Sequence, residues 1–151
     1  MAPMKRPRLA SVRVSGKQSL QLQFIDGRSL HLHMGSDIAA FPGLRPLKDA
    51  KAFAQATLGD GGWSVEWPKL DIQLGADTLL YDALAQNAPD EETRVFIKWR
   101  ATSGLPLKLA ADALGVAQRT ITRYSSGQVP VPKTLALACI GWETQQQRQV
   151  H

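Results

Sequence analysis

The stretch "LQLQFIDGRSLHLHM", Leu20 to Met34, constrains the fold more than any other part of the chain. Two alternating runs flank Asp26-Gly27, and alternation is the pattern of a strand with one buried face. Asp-Gly between such runs predicts a hairpin, because both residues tolerate the positive φ of a type I′ turn. Leu20, Leu22 and Phe24 then share one face, followed by Leu30, Leu32 and Met34. The preceding "SVRVS" alternates as well, so the first half begins as an antiparallel sheet.

Helical spacing appears next. In "LKDAKAFAQA", Leu47, Ala50, Phe53 and Ala54 recur as one helix face. "GDGG" reads as a turn, "WSVEWP" as a short strand, and "GADTLLYDALAQ" as a helix with Asp77 near its start. That order predicts an α+β fold class, with a small N-terminal antiparallel sheet packed on helices. "NAPDEET" marks the boundary: Pro89 and three acids make a polar break and suit a helix N-terminus. Residues 1–87 are expected to form the α+β domain and residues 88–151 an all-α domain. "QQQRQVH" reads as a frayed end.

Charge separates the halves. From Thr93 onward there are eight Lys/Arg against two acids, a local charge of +6, whereas Met1–Glu92 carries ten against eleven. A basic segment suits a polyanionic partner. The 44% hydrophobic content supports real cores, and no apolar run approaches the roughly 20 residues of a membrane helix. The start, "MAPMKRPRLASVRV", lacks the apolar core of a signal peptide. Cys139, the single cysteine, excludes an internal disulfide and a Cys-rich zinc module. A cytoplasmic protein without membrane association is expected.

Within the basic segment, Lys108–Leu114 reads as a helix with Leu109, Ala110, Ala113 and Leu114 as its apolar contacts. Gly115 can take the left-handed conformation that ends it, and Val116 plugs the turn. A second helix, residues 117–125, follows at once. Ile121 and Tyr124 fall on its core side, and Gln118, Arg119, Thr122 and Arg123 on the other. Arginine forks onto guanine O6/N7 and glutamine brackets adenine N6/N7, so this spacing suits a helix lying in a major groove. A solvated face on an ordinary helical hairpin is the alternative.

The stretch from Phe96 to Glu143 resembles the phage-repressor (Cro/C1-type, XRE-like) helix-turn-helix family. "WRATSGL", "AADALGV", "RTITRYSSG" and "VPVPKTLALA" carry the likeness, in that order. The resemblance implies a lambda-repressor-like domain with Gln118, Arg119, Thr122 and Arg123 reading bases, and it sets Trp99 in the core. Lys98, Arg100, Lys108 and Lys133 are candidate phosphate contacts, which set register without reading sequence. Three positions depart from the family. Pro106-Leu107 stands where Ser/Thr-Gln is usual, Ala117 replaces a capping Ser/Thr, and Ser125-Ser126 replace an acidic residue. The last change leaves Arg100 without its common partner and free for phosphate.

The first half resembles a bacterial domain-of-unknown-function family from about Leu9 to Leu84. Phe24-Ile25-Asp26-Gly27, Leu47-Lys48-Asp49, Phe53, Trp67-Pro68 and Asp71 carry the likeness. That resemblance implies no catalytic residues. His31 and His33 share a strand face, but no Cys or carboxylate cluster completes a metal shell, so a polar face and no metal are expected. The aspartates at 26, 49, 60, 71 and 77 read as turn and cap residues. "GDGG" precedes a strand rather than a helix and so is no phosphate cradle.

These readings predict a transcriptional regulator that binds double-stranded DNA, without enzyme activity or cofactor, and that dimerises through its N-terminal domain. The alternative is an antitoxin-like or adaptor protein whose N-terminal domain holds a protein partner.

Overall fold

The computed structural model describes residues 6–149. The fold is α+β, and the chain divides into two compact units, Met1–Ala83 and Leu84–His151. The division falls four residues before the expected 87/88 boundary, inside the helix Ala76–Gln86 (α3). Leu84 and Ala85 belong to the second unit because Leu84 packs directly on Gly127: a Cβ built there would stand 3.0 Å from Leu84 Cδ2.

In the first unit, Leu9–Val14 (β1), Ser19–Phe24 (β2) and Ser29–His33 (β3) form an antiparallel sheet in the order β1-β2-β3. Leu20 pairs with Leu32 and Leu22 with Leu30, and Leu20, Leu22, Phe24, Leu32 and Met34 are all buried. The hairpin turn differs from the type I′ expectation. Phe24 N–H donates to Arg28 O (2.8 Å) and Gly27 N–H to Phe24 O (3.0 Å), which leaves the three-residue loop Ile25-Asp26-Gly27. Only Gly27 has positive φ, at 95°. This is the pattern of a turn closed by a left-handed residue, and the Asp26 side chain explains the choice. Its carboxylate accepts the Arg28 backbone N–H (3.0 Å) and Nε–H (2.9 Å), which pins the loop. Burial raises the Asp26 pKa, but the hydrogen bonds and charge of Arg28 outweigh it and hold the carboxyl below its ordinary value.

The expected helix over residues 47–56 is broken. A 3-10 turn covers Pro42–Lys48, and the helix is only Ala50–Phe53 (α2), with Asp49 as its N-cap. Proline at 42 and 46 and an extended Asp49 prevent a longer helix. Leu47 and Phe53 are buried as expected, whereas Ala50 and Ala54 are exposed. A short helix over Gly35–Ala40 (α1) precedes this segment. A second small sheet, unexpected in its extent, joins Thr57–Leu58 (β4), Ser64–Trp67 (β5) and Ile72–Gly75 (β6). Trp67 anchors it: its indole N–H donates to Phe53 O at 2.9 Å, and the two rings lie 5.7 Å apart.

The second unit holds Glu91–Ser103 (α4), Leu107–Leu114 (α5), Gln118–Ser125 (α6) and Lys133–Gln149 (α7). Asp90 caps α4 by accepting the Thr93 N–H at 2.8 Å. Side-chain and backbone hydrogen bonds from Thr93 hold the Asp90 carboxyl below its ordinary value. Phe96, Ile97, Trp99, Ala110, Ala111, Ile121, Leu135, Ala136 and Cys139 are buried in this unit. Trp99 is a core residue, edge-on to Trp142 at 5.6 Å and tilted against Phe96 at 6.3 Å. Leu109, expected as a core contact, is 52% exposed. It shares its helix with buried Ala110 and Ala111, which set the inward face one residue later. The polar tail is helical through Gln149 rather than frayed, consistent with the good helix propensity of Gln and Arg. Val150, His151 and the first five residues, on which part of the leader and tail readings fell, lie outside the described residues.

Candidate nucleic-acid interface

Helices α5 and α6 are joined by only Gly115, Val116 and Ala117. Gly115 has φ 68°, in the left-handed region that favours glycine. That geometry lets Val116 N–H bond back to Ala111 O at 3.0 Å, so orphan carbonyls of α5 are satisfied and the chain turns sharply. Val116 is half-buried in the turn.

On α6, Ile121 is fully buried and Tyr124 half-buried, edge-on to Phe96 at 6.2 Å. That seating rolls the opposite face outward, and Gln118, Arg119, Thr122 and Arg123 are all exposed. No ion pair holds Arg119 or Arg123 among the described residues. Arg123 rests over the Tyr124 ring at 5.7 Å, and Thr122 Oγ1 bonds back to Gln118 O at 3.2 Å. The face therefore offers two guanidinium forks, an amide that both donates and accepts, and a hydroxyl.

Of the other basic candidates, Lys98 on α4, Lys108 on α5 and Lys133 at the start of α7 are exposed. Arg100 is not free. It is half-buried, its Nη1 donates to Leu105 O at 2.8 Å, and its buried Nε has no partner among the described residues. The left-handed Gly104 (φ 63°) turns the chain so that this carbonyl replaces the acidic partner missing at Ser125-Ser126. Arg100 thus braces the α4–α5 turn. The departures at the caps are also visible, since neither Pro106 nor Ala117 makes a side-chain cap bond.

The remaining chemistry is sparse. Cys139 is buried, and burial together with the charge of Glu143 pushes its pKa up to about 12, which keeps it a thiol. Ser19 Oγ and His33 Nδ1 lie 3.0 Å apart across β2 and β3. Among the described residues no group of three or more His, Cys, Asp and Glu is arranged to hold a metal, and no helix is long and apolar enough to cross a membrane. In the first unit, Asp49, Trp67 and Pro68 line one open cleft of about 240 Å³ with Lys51, Gln55 and Lys69. Sequence reasoning missed a cluster elsewhere in that unit: the guanidinium carbons of Arg6 and Arg8 lie 4.7 and 4.8 Å from the centre of the Trp63 ring. The Arg-x-Arg pair and the tryptophan after two glycines were its only signals.

No curated protein matches the chain. A solved structure does: the crystal structure of "Putative DNA Binding Protein NE0471" from Nitrosomonas europaea, at 29% identity and a TM-score of 0.63, over 97% of this chain and 92% of that one. Residues 9–85, half of the chain, match the family described as "Protein of unknown function (DUF2442)", and the chain belongs to that family.

Proposed function

We propose that this chain is a sequence-specific, double-stranded DNA-binding transcriptional regulator in which α5 and α6 act as a helix-turn-helix and α6 enters the major groove. The carrying observation is the exposed face of α6, where Gln118, Arg119, Thr122 and Arg123 make no ion pair among the described residues and lie opposite a buried Ile121. Arg119 and Arg123 are the principal base readers on this proposal, with Gln118 and Thr122 beside them. Lys98, Lys108 and Lys133 meet phosphates and set register. The +6 charge from Thr93 onward and the DNA-binding description of the Nitrosomonas europaea protein support the same reading. The chain works by binding, in the cytoplasm, and catalyses nothing. Its active form is a two-fold dimer through the first unit, which presents two α6 helices to half-sites about 34 Å apart.

Selection of bound molecules from a random duplex pool tests the proposal. A recovered palindrome supports both the reading face and the dimer, and a single short motif supports the face alone. A pool that emerges unenriched overturns sequence-specific binding and favours the adaptor reading.

A further inference from the structure

The turn "GDGGW" does not cradle phosphate at a helix start, but it builds something else. Gly62 has φ 77°, and a Cβ there would lie 2.0 Å from Leu9 O, so only glycine lets the turn press onto the backbone of β1. Trp63 follows immediately, 41% exposed, and stands beside the residues that lead into β1. Those residues are Arg6-Pro7-Arg8. The guanidinium carbons of both arginines lie over the Trp63 ring, 4.7 and 4.8 Å from its centre.

Arg8 is fixed from two directions. Its carbonyl accepts the Ile25 N–H at 3.0 Å, and its Nε donates to Gly61 O at 2.8 Å. Its two Nη amino groups make no hydrogen bond among the described residues. No carboxylate pairs with Arg6 or Arg8 among the described residues, although Asp60 lies in the same turn. Two cations held over one ring repel each other, and an anion bound beside them lowers that repulsion. Guanidinium groups take phosphate oxygens through paired N–H donors, and the contact with Trp63 together with the Nε bond of Arg8 restrains the two side chains beforehand.

We propose that Arg6 and Arg8, stacked on Trp63, form a second nucleic-acid contact in the first unit, one that grips backbone phosphates of duplex DNA and reads no bases. This inference rests on the DNA-binding reading above but not on its reading face. It gives the first unit a task that none of the family resemblances supplies.

The test is salt-dependent binding of the full chain to a labelled duplex carrying the selected motif and to one of mixed sequence. Removing one phosphate-binding side chain should reduce the log–log salt slope by about 0.9. Arg6→Ala, which removes no hydrogen bond among the described residues, should show about one such step, and Arg6→Ala/Arg8→Ala about two, on both duplexes. The preference between the two duplexes should stay unchanged. A double variant with the wild-type slope overturns this inference and leaves the α6 reading intact. A wild-type chain that binds both duplexes alike, with the slope still falling in the variants, supports the phosphate site and removes the α6 reading. A wild-type chain that binds neither duplex overturns both.

Discussion

The hydroxyl oxygen of Thr93 accepts the backbone N–H of Val131 at 3.0 Å, a bond between residues thirty-eight apart in the chain. Thr93 is fully buried and Val131 is 4% exposed. The same threonine donates its own N–H to the capping carboxylate of Asp90. One residue therefore ties the start of α4 to the segment that leads into α7.

Removing the acceptor should be costly. Thr93→Val keeps the volume, strands the Val131 amide and removes the hydroxyl's bond to Asp90; the unsatisfied buried amide alone costs about 1–3 kcal/mol. Thr93→Ser keeps the oxygen and should retain most of the stability. Urea unfolding of the three proteins checks this, and a Thr93→Val midpoint equal to wild type would show that the bond is dispensable.

Acid should unfold the chain partly through two aspartates. Asp26 and Asp90 both have pKa values depressed in the folded state, so their contributions are present above the ordinary carboxylate value and fade as pH falls below about 4. The unfolding midpoint of Asp26→Asn should lie below wild type at neutral pH and converge with it in acid. A constant gap across the titration would mean that the charge of Asp26 contributes nothing.

The uncapped start of α6 invites a gain. Ala117 is exposed and extended (φ −71°, ψ 151°) and makes no side-chain cap bond. Ala117→Ser should supply an acceptor for the first-turn amides and stabilise by about 1 kcal/mol. Thermal unfolding reads the shift directly. No gain would mean that those amides are already satisfied by water.

What is legible in the sequence follows from the range over which each signal acts. Period is local, and the alternation of Leu20, Leu22 and Phe24 and the core side of Ile121 are readable from it. Turn type is not, because Asp-Gly is compatible with several turns, and the Arg28 bonds to Asp26 decide among them. The second sheet escapes a sequence reading because β4 is two exposed residues, too short to show a pattern. Arg100 misleads because its partner is a backbone carbonyl, presented by a left-handed glycine, which no residue type announces. The meeting of Arg6 and Arg8 with Trp63 depends on the fold and is invisible to spacing.

Cys139 should behave as an inert core thiol. Burial and the nearby Glu143 charge hold its pKa at about 12, so at pH 8 almost no thiolate is present. A thiol-reactive dye should label the native chain slowly and the urea-unfolded chain at the ordinary rate. Rapid native labelling would show that the core around α7 opens readily.

Arg119 and Arg123 are exposed and make no ion pair among the described residues, which leaves both guanidinium groups open to bases. The most direct test repeats the random-pool selection with Arg119→Ala, Arg123→Ala and Lys133→Ala beside wild type. Each arginine variant should lose discrimination at its own base position, by about 1–3 kcal/mol, and keep the rest of the motif. Lys133→Ala should weaken every duplex alike and preserve the motif. If both arginine variants recover the wild-type motif unchanged, the exposed face of α6 is not the reading surface.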